Sequence, residues 1–358
     1  MKKVGIITLQ GLYNYGNRLQ NYAVQEIVKK YGYEAESILL EGSLKEKTRE
    51  CVSFFAEARV TNTAHYFIRF YNFWKFNHKN IRIKSFRINN TTLKKIAKRY
   101  DFLALGGDQI WNQKYEIFGD LDQSGFQFGS AVAADRRIPF SPSFGESSIP
   151  DCKKDYCRHW LIEMPHLAIR EKSGADIIYN LTGKEAEIVI DPVMVLSEED
   201  WKKVFDERKY CNQDYVLTCF LGGGDKERCS LINKIAKERP IKGVGRYEDD
   251  SAKVGPDDFL SLIYNADIIC TDSFHCAAFA ILFKKPFVVF DRRNCNITQM
   301  TRLWNLLELF QLKHRHASKI DFSTCEQIDY QQVDMILEKE RNRYHRFLSN
   351  WFMTDSGE

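Results

Sequence analysis

Two spacings of apolar residues follow each other repeatedly along this chain. Short apolar runs at Val4-Gly-Ile-Ile-Thr8, Phe102-Leu-Ala-Leu105, Tyr215 to Leu221, Ile268 to Cys270 and Phe287-Val-Val-Phe290 read as buried strands. Pro139-Phe140, Leu167-Ala-Ile169 and Glu187-Ile-Val-Ile190 are further strand candidates. Helical spacing lies between them. Leu19 to Tyr31 places Leu19, Ala23, Ile27 and Val28 on one side. Arg228 to Glu238, the region from Met300 to Leu309, and the charged amphipathic stretch Gln331 to Trp351 read the same way. Cys276 to Phe283 has no polar face, so it predicts a buried helix, stopped by Lys284-Lys-Pro286. Strand and helix in turn are the pattern of an α/β protein with parallel sheets flanked by helices.

Asp191 to Ser197 reads as the linker between two such units, and Ser197-Glu-Glu-Asp-Trp201 then opens a helix with an acidic first turn. The expected domains are 1–195 and 196–326, with 327–358 as a C-terminal helix.

Composition narrows the class. A chain of 358 residues, 44% hydrophobic, suits two domains with full cores. A net charge of +4 is too mild for nucleic-acid binding by the whole protein. No apolar run approaches the ~18–20 residues that span a bilayer, and the apolar part of Met1 to Thr8 is too short for a signal peptide. Ten cysteines without a CxxC pair argue for a reducing cytoplasm and against zinc or disulfides, and Cys219, Cys270 and Cys276 fall in core elements. One imbalance changes the picture. Ala58 to Tyr100 holds eleven Lys/Arg, no Asp or Glu, and seven aromatics from Tyr66 to Phe76. It reads either as a solvated basic face or as a grip on an anionic acceptor or a membrane surface.

Candidate chemistry sits where strands end. His275 falls in the first turn of the buried helix, after Thr271-Asp-Ser273 turn and cap residues. An imidazole there can move a proton beside a phosphate or carboxylate, or it simply caps the helix. Gly106-Gly-Asp-Gln-Ile-Trp-Asn112 runs on from a strand, and Asp108, Gln109, Trp111 and Asn112 suit a sugar, with a packed tight turn as the other reading. Asn14-Tyr15-Gly-Asn17 offers amides and a close-approach glycine after the first strand, or plain turn chemistry. Arg170 clamps a carboxylate or phosphate, or pairs with Glu171 or another acid. Gly222-Gly223-Gly224 is a weak phosphate cradle without GxGxxG or Walker spacing, and Arg302 is an anion ligand or a surface residue.

Taken together, Asn14-Tyr-Gly-Asn17 with Leu19-Gln20, Gly106 to Asn112, Arg170-Glu-Lys-Ser173, Asp191-Pro-Val193 and Asp272-Ser-Phe-His275 resemble the polysaccharide pyruvyl transferase family, over about Lys3 to Leu348. The resemblance implies two Rossmann-like domains arranged as in GT-B glycosyltransferases, with the site in the cleft between them and the last helix crossing back to the N-terminal domain. It implies transfer of the enolpyruvyl group of phosphoenolpyruvate onto two hydroxyls of a sugar or lipid-linked oligosaccharide, forming a ketal and releasing phosphate. No metal or further cofactor is implied. His275 would be the general acid and Asp108 the base. Arg170, Ser273, Arg302, Gly222 and Gly223 would line the donor, and Asn14, Tyr15, Asn17, Gln109, Trp111 and Asn112 the acceptor. Many members carry Arg-Leu-His where this chain has Ser273-Phe-His275, so another base must supply the donor's counter-charge, or the donor differs. The other readings are a nucleotide-sugar glycosyltransferase, with Asp291 on the ribose, and a non-catalytic glycan-binding relative.

Overall fold

In a computed structural model the chain forms two α/β units, and residues 1–9, 14–41, 63–114, 118, 121–245, 253–292, 297–321 and 325–352 are described. One unit comprises 1–63, 77–195 and 340–358; the other comprises 64–76 and 196–339.

In the first unit, β1 (Lys3–Ile7), β2 (Glu34–Glu41), β3 (Ile83–Arg87), β4 (Phe102–Leu105) and β5 (Arg137–Pro139) form one sheet in the order β3-β2-β1-β4-β5. Every pairing is parallel. This is the Rossmann order, and it reverses between β1 and β4, where such sheets bind ligands. Helix α1 (Tyr15–Lys30) starts four residues before the periodicity alone places it, because the Asn14 side chain caps it by accepting from the Asn17 amide at 3.2 Å. Its apolar side is buried as read, but Gln20, Asn21 and Gln25 are buried too. Gln25 donates to Ser37 Oγ at 2.7 Å and to the Arg82 carbonyl at 3.0 Å, tying α1 to two strands. Helix α2 (Thr63–Asn80) has its residues 64–76 in the second unit and continues into the first. Helix α3 (Thr92–Arg99) follows β3 and sends Arg99 to the buried Glu36. Helices α4 (Asp151–Ile162) and α5 (Lys172–Thr182) flank a small parallel pair, β6 (Ala168–Ile169) and β7 (Glu187–Ile188).

Pro192–Val195 is a short helix, α6, and all four residues are buried. The division between units falls directly after Val195. Ser197 then caps α7 (Glu198–Lys202) through a capping box with Asp200.

In the second unit, β8 (Val216–Cys219), β9 (Ile241–Gly243), β10 (Ile268–Thr271) and β11 (Phe287–Val289) pair in the order β11-β10-β8-β9, all parallel. The reversal lies between β8 and β10. Helices α8 (Lys226–Ala236), α9 (Pro256–Asn265), α10 (Phe274–Leu282) and α11 (Ile297–Leu309) alternate with these strands. As its composition demands, α10 is buried from Cys276 to Leu282, with Phe279 edge-on to Trp201 at 4.9 Å. The last helix, α12 (Tyr330–Leu348), begins in the second unit and ends in the first. There Arg341 donates to the Met194 carbonyl at 2.9 Å, and the Trp351 indole donates to the Asp135 carbonyl at 2.8 Å. This is the return of the C-terminal helix that the family resemblance implies. No described helix is long and apolar enough to cross a membrane.

Candidate functional site

The reversal in the second sheet gathers polar groups at the strand ends. Asp272 follows β10 and is almost wholly buried. Its carboxylate accepts from the Leu221 amide at 2.7 Å and the Gly222 amide at 3.0 Å, which closes the loop after β8. Burial pushes the Asp272 carboxyl up, and the amides, Arg292 and Arg228 offset that only in part. Ser273 caps α10 by accepting from the Cys276 amide at 3.5 Å. His275 therefore stands in the first turn of α10, half-buried, edge-on to Phe274 at 5.3 Å.

Two arginines frame this helix start. The Arg292 guanidinium donates to the Asp272 carbonyl at 2.9 Å and lies 3.7 Å from its carboxylate. Arg228, in the first turn of α8, donates to the Asp291 carbonyl at 2.8 Å and stacks over Phe220 at 4.4 Å. Asp291 itself is largely exposed, 3.3 Å from His316 Nε2. A helix N-terminus, an imidazole, Arg292 on one buried carboxylate and Arg228 close enough to act on it through its charge form a corner suited to an anion.

The reversal in the first sheet is built differently. Arg170, after β6, has a side chain only 3% exposed. It pairs with Asp191, with Asp108 at 3.4 Å and with Glu171 at 3.8 Å. Burial opposes its charge, and the three carboxylates outweigh burial and raise its pKa. Asp108 sits in the left-handed region at φ 66°, and its carbonyl accepts from the Ser143 amide at 2.8 Å. Gly106 and Gly107 leave room for the protein's own Gln20, since a Cβ on Gly106 would lie 3.2 Å from Gln20 Nε2 and one on Gly107 equally close. Gln20 accepts from the Thr8 hydroxyl at 2.9 Å.

Several expectations change accordingly. Arg170 takes the ion-pair reading in this structure: Asp108, Glu171 and Asp191 hold it in the interior. Trp111 is not a sugar platform: it is fully buried, stacked on Phe128 at 5.5 Å, and its indole donates to the Gln127 carbonyl at 3.0 Å. Asn112 is buried, donating to Gln109 at 3.0 Å and accepting from the Lys114 amide at 2.9 Å, so it braces the turn. Gln109 stays half-buried. The Gly222 amide is committed to Asp272, which removes it from a phosphate cradle, while Gly223 remains partly exposed beside it. Asn14 is an exposed cap; Tyr15 and Asn17 are buried, and Asn17 Oδ1 has no hydrogen-bond partner. Arg302 lies partly exposed on α11. Arg228 and Arg292 were not singled out from sequence. Arg228 lies three residues after Asp225, whose side chain accepts its amide at 2.8 Å, and this cap spacing was the available signal. Among the described residues no group of three or more His, Cys, Asp or Glu is placed to hold a metal ion.

The sequence profile of the polysaccharide pyruvyl transferase family matches residues 14–294, most of the chain. The chain belongs to this family. In this pyruvyl transferase family member, the match runs from the Asn14 cap to just past Arg292, so it takes in both sheet reversals. No curated protein matches the chain. Among solved structures, the chain is similar to a UDP-GlcNAc 2-epimerase from Methanocaldococcus jannaschii, at 13% identity and TM-score 0.45, covering 97% of this chain and 99% of that one. It is similar to a glycosyltransferase from Rickettsia africae, at 12% identity and TM-score 0.44, covering 98% and 99%. A heptosyltransferase from E. coli aligns at 7% identity and TM-score 0.38, covering 94% and 99%.

Proposed function

We propose that this family member uses phosphoenolpyruvate as donor and forms a pyruvate ketal on a sugar of a cell-surface polysaccharide precursor, working from the cytoplasm. The observation that carries this reading is the corner at the second sheet's reversal. There Ser273 leaves the family's usual positive charge unfilled, and Arg292 and Arg228 stand beside the same helix start. They supply the charge that a phosphate or carboxylate needs, from the ends of β11 and α8 instead of from the His275 motif.

His275 protonates C3 of the enol. C2 becomes electrophilic, a sugar hydroxyl attacks it and returns its proton to the His275 imidazole, and a second hydroxyl closes the ketal as the C2–O bond to phosphate breaks, its proton leaving with the phosphate. An acid placed this way contributes ~10²–10⁴-fold. Arg228, Arg292 and the N–H groups opening α10 stabilise the departing phosphate. Asn14, Tyr15, Asn17 and Gln109, in the first unit, remain the proposed acceptor contacts in this reading. Asp108 is left out of the reacting groups, because its carboxylate is held on Arg170. The exposed Asp291 carboxylate is the feature that favours a nucleotide-sugar donor instead.

A release assay separates the two. The purified protein is offered phosphoenolpyruvate or nucleotide-sugars with a panel of sugar acceptors. Inorganic phosphate released only in the presence of an acceptor supports the ketal reading, and release of nucleoside diphosphate overturns it.

A further inference from the structure

We infer that α2 is an interfacial helix that seats this protein on an anionic lipid surface. The inference stands apart from the transfer chemistry and uses none of its residues. It rests on one face of α2. Phe67, Tyr71 and Trp74 recur at intervals of four and three, so they form one stripe, and they are 44%, 57% and 48% exposed. Ile68, beside them, is 42% exposed. Tyr71 and Trp74 stack on each other at 6.1 Å. The opposite face is the packed one, with Phe73 and Phe76 buried. The helix thus carries aromatics on both sides, which a purely solvated helix has no reason to do.

The charge pattern selects the occupant. The 18 residues of α2 contain no Asp or Glu. Lys75, His78 and Lys79 are exposed at the end of the stripe. Aromatic rings with an apolar body and a polar tip, flanked by lysines, match the boundary between acyl chains and anionic headgroups. A protein partner would also bury the rings, but an acid-free helix in an acid-free stretch fits a surface of uniform negative charge best. The wider stretch contributes less than its eleven cations suggest. Residues 58–62 lie outside the described residues. Arg82 is paired with Glu34 at 3.3 Å and Glu36 at 3.1 Å, and Arg69 lies over the Phe73 ring at 5.3 Å. Lys75 and Lys79 are the charges to change.

The test is sedimentation of the full chain with vesicles of phosphatidylcholine alone and of phosphatidylcholine mixed with phosphatidylglycerol. The expected result is binding to the anionic vesicles that falls as salt rises. Lys75→Gln with Lys79→Gln should weaken binding about 25-fold, at about fivefold per cation, and flatten the salt dependence. Tyr71→Ser with Trp74→Ser should also lose most of the binding, because ring insertion scales with buried apolar area. Both pairs are exposed, so an unchanged thermal melt checks that folding is intact. Equal pelleting with neutral and anionic vesicles overturns the inference. So does parent-like binding by both double variants, or a concentration-dependent dimer lost in Tyr71→Ser with Trp74→Ser that has no affinity for vesicles.

Discussion

The two sheet reversals occupy the same topological place and carry opposite electrostatics. In the first unit one arginine, Arg170, is surrounded by Asp108, Glu171 and Asp191. In the second, one buried carboxylate, Asp272, is attended by Arg292 and Arg228, with His275 in the helix turn that follows. The first cluster has its positive charge more than matched and its members inside the core. The second sets two arginines around one buried carboxylate at a helix start, with the exposed Asp291 carboxylate nearby, and exposed N–H groups there add partial positive charge. Topology alone marks both as ligand positions. Charge balance separates a structural hub from a corner that can receive an anion.

The comparison breaks most visibly at His275. His275→Asn should lower the turnover of ketal formation ~10²–10⁴-fold, the usual size of a positioned acid's contribution. Donor affinity, read by calorimetry, should stay near that of the parent. Near-parental turnover would remove the imidazole from the chemistry and leave only the arginines.

The next largest effect should lie in the first unit and concern stability. Arg170→Gln leaves three buried carboxylates with their cation gone. Breaking a buried charge cluster in this way costs about 3–5 kcal/mol, which urea unfolding would report. The protein that remains folded should bind donor like the parent. A folded variant with normal stability and lost donor binding would reverse the assignment of the two clusters.

Glu36 sharpens the same contrast, because it shows the first unit using charges to hold itself together. Burial alone would push its carboxyl up. The hydrogen bonds from Arg99, at 2.8 Å each, and from Tyr100 at 3.1 Å, with the charges of Arg99 and Arg82, hold it below its ordinary value of 4.5. A depressed folded pKa contributes stability above that ordinary value, and the contribution is lost as pH falls through the folded value. Glu36→Gln should therefore cost roughly 1.5–3 kcal/mol at neutral pH. Its unfolding free energy should fall less steeply than the parent's between about pH 5 and pH 2. Parallel curves for parent and variant would contradict this.

Asp272→Ala should show the smallest loss, about 1–3 kcal/mol, because it strands the Leu221 and Gly222 amides without their acceptor. Hydrogen exchange should locate the loosening at those two amides. Exchange as slow as in the parent would mean that other groups close the β8 loop.

The elements most legible in the sequence were those whose pattern is enforced by burial on all sides. β4, β10, β11 and the fully apolar α10 lie within two residues of where the runs place them. Their hydrophobicity is continuous because a parallel sheet covered on both faces admits no polar side. β2 and β3 were not singled out. The Glu34–Glu41 strand mixes three glutamates with its apolar residues, and β3 is a mostly exposed edge. α1 was placed late because its first turn is polar yet buried, held by hydrogen bonds that no hydropathy pattern displays. The site followed the same division. His275 and its cap could be read from the order of strand, turn and helix. Pairing of Arg170 with Glu171 and a packed Trp111 were open readings, but the choice between readings rests on Asp108, Asp191 and Gln127, which lie 16 to 62 residues away in the chain. Arg228 and Arg292 are 64 positions apart, and the fold brings them together where Arg228 reaches the carbonyl of Asp291.

The account turns on the second unit's corner being where the donor's negative charge is held. Calorimetric titration of phosphoenolpyruvate into the parent and into Arg292→Ala, Arg228→Ala and Arg302→Ala tests this directly. Losing a charged hydrogen bond of about 1.5–3 kcal/mol predicts that Arg292→Ala and Arg228→Ala each bind the donor roughly ten- to a hundredfold more weakly, with Arg302→Ala affected less. Parent-like affinity in both the Arg292 and Arg228 variants would contradict the account.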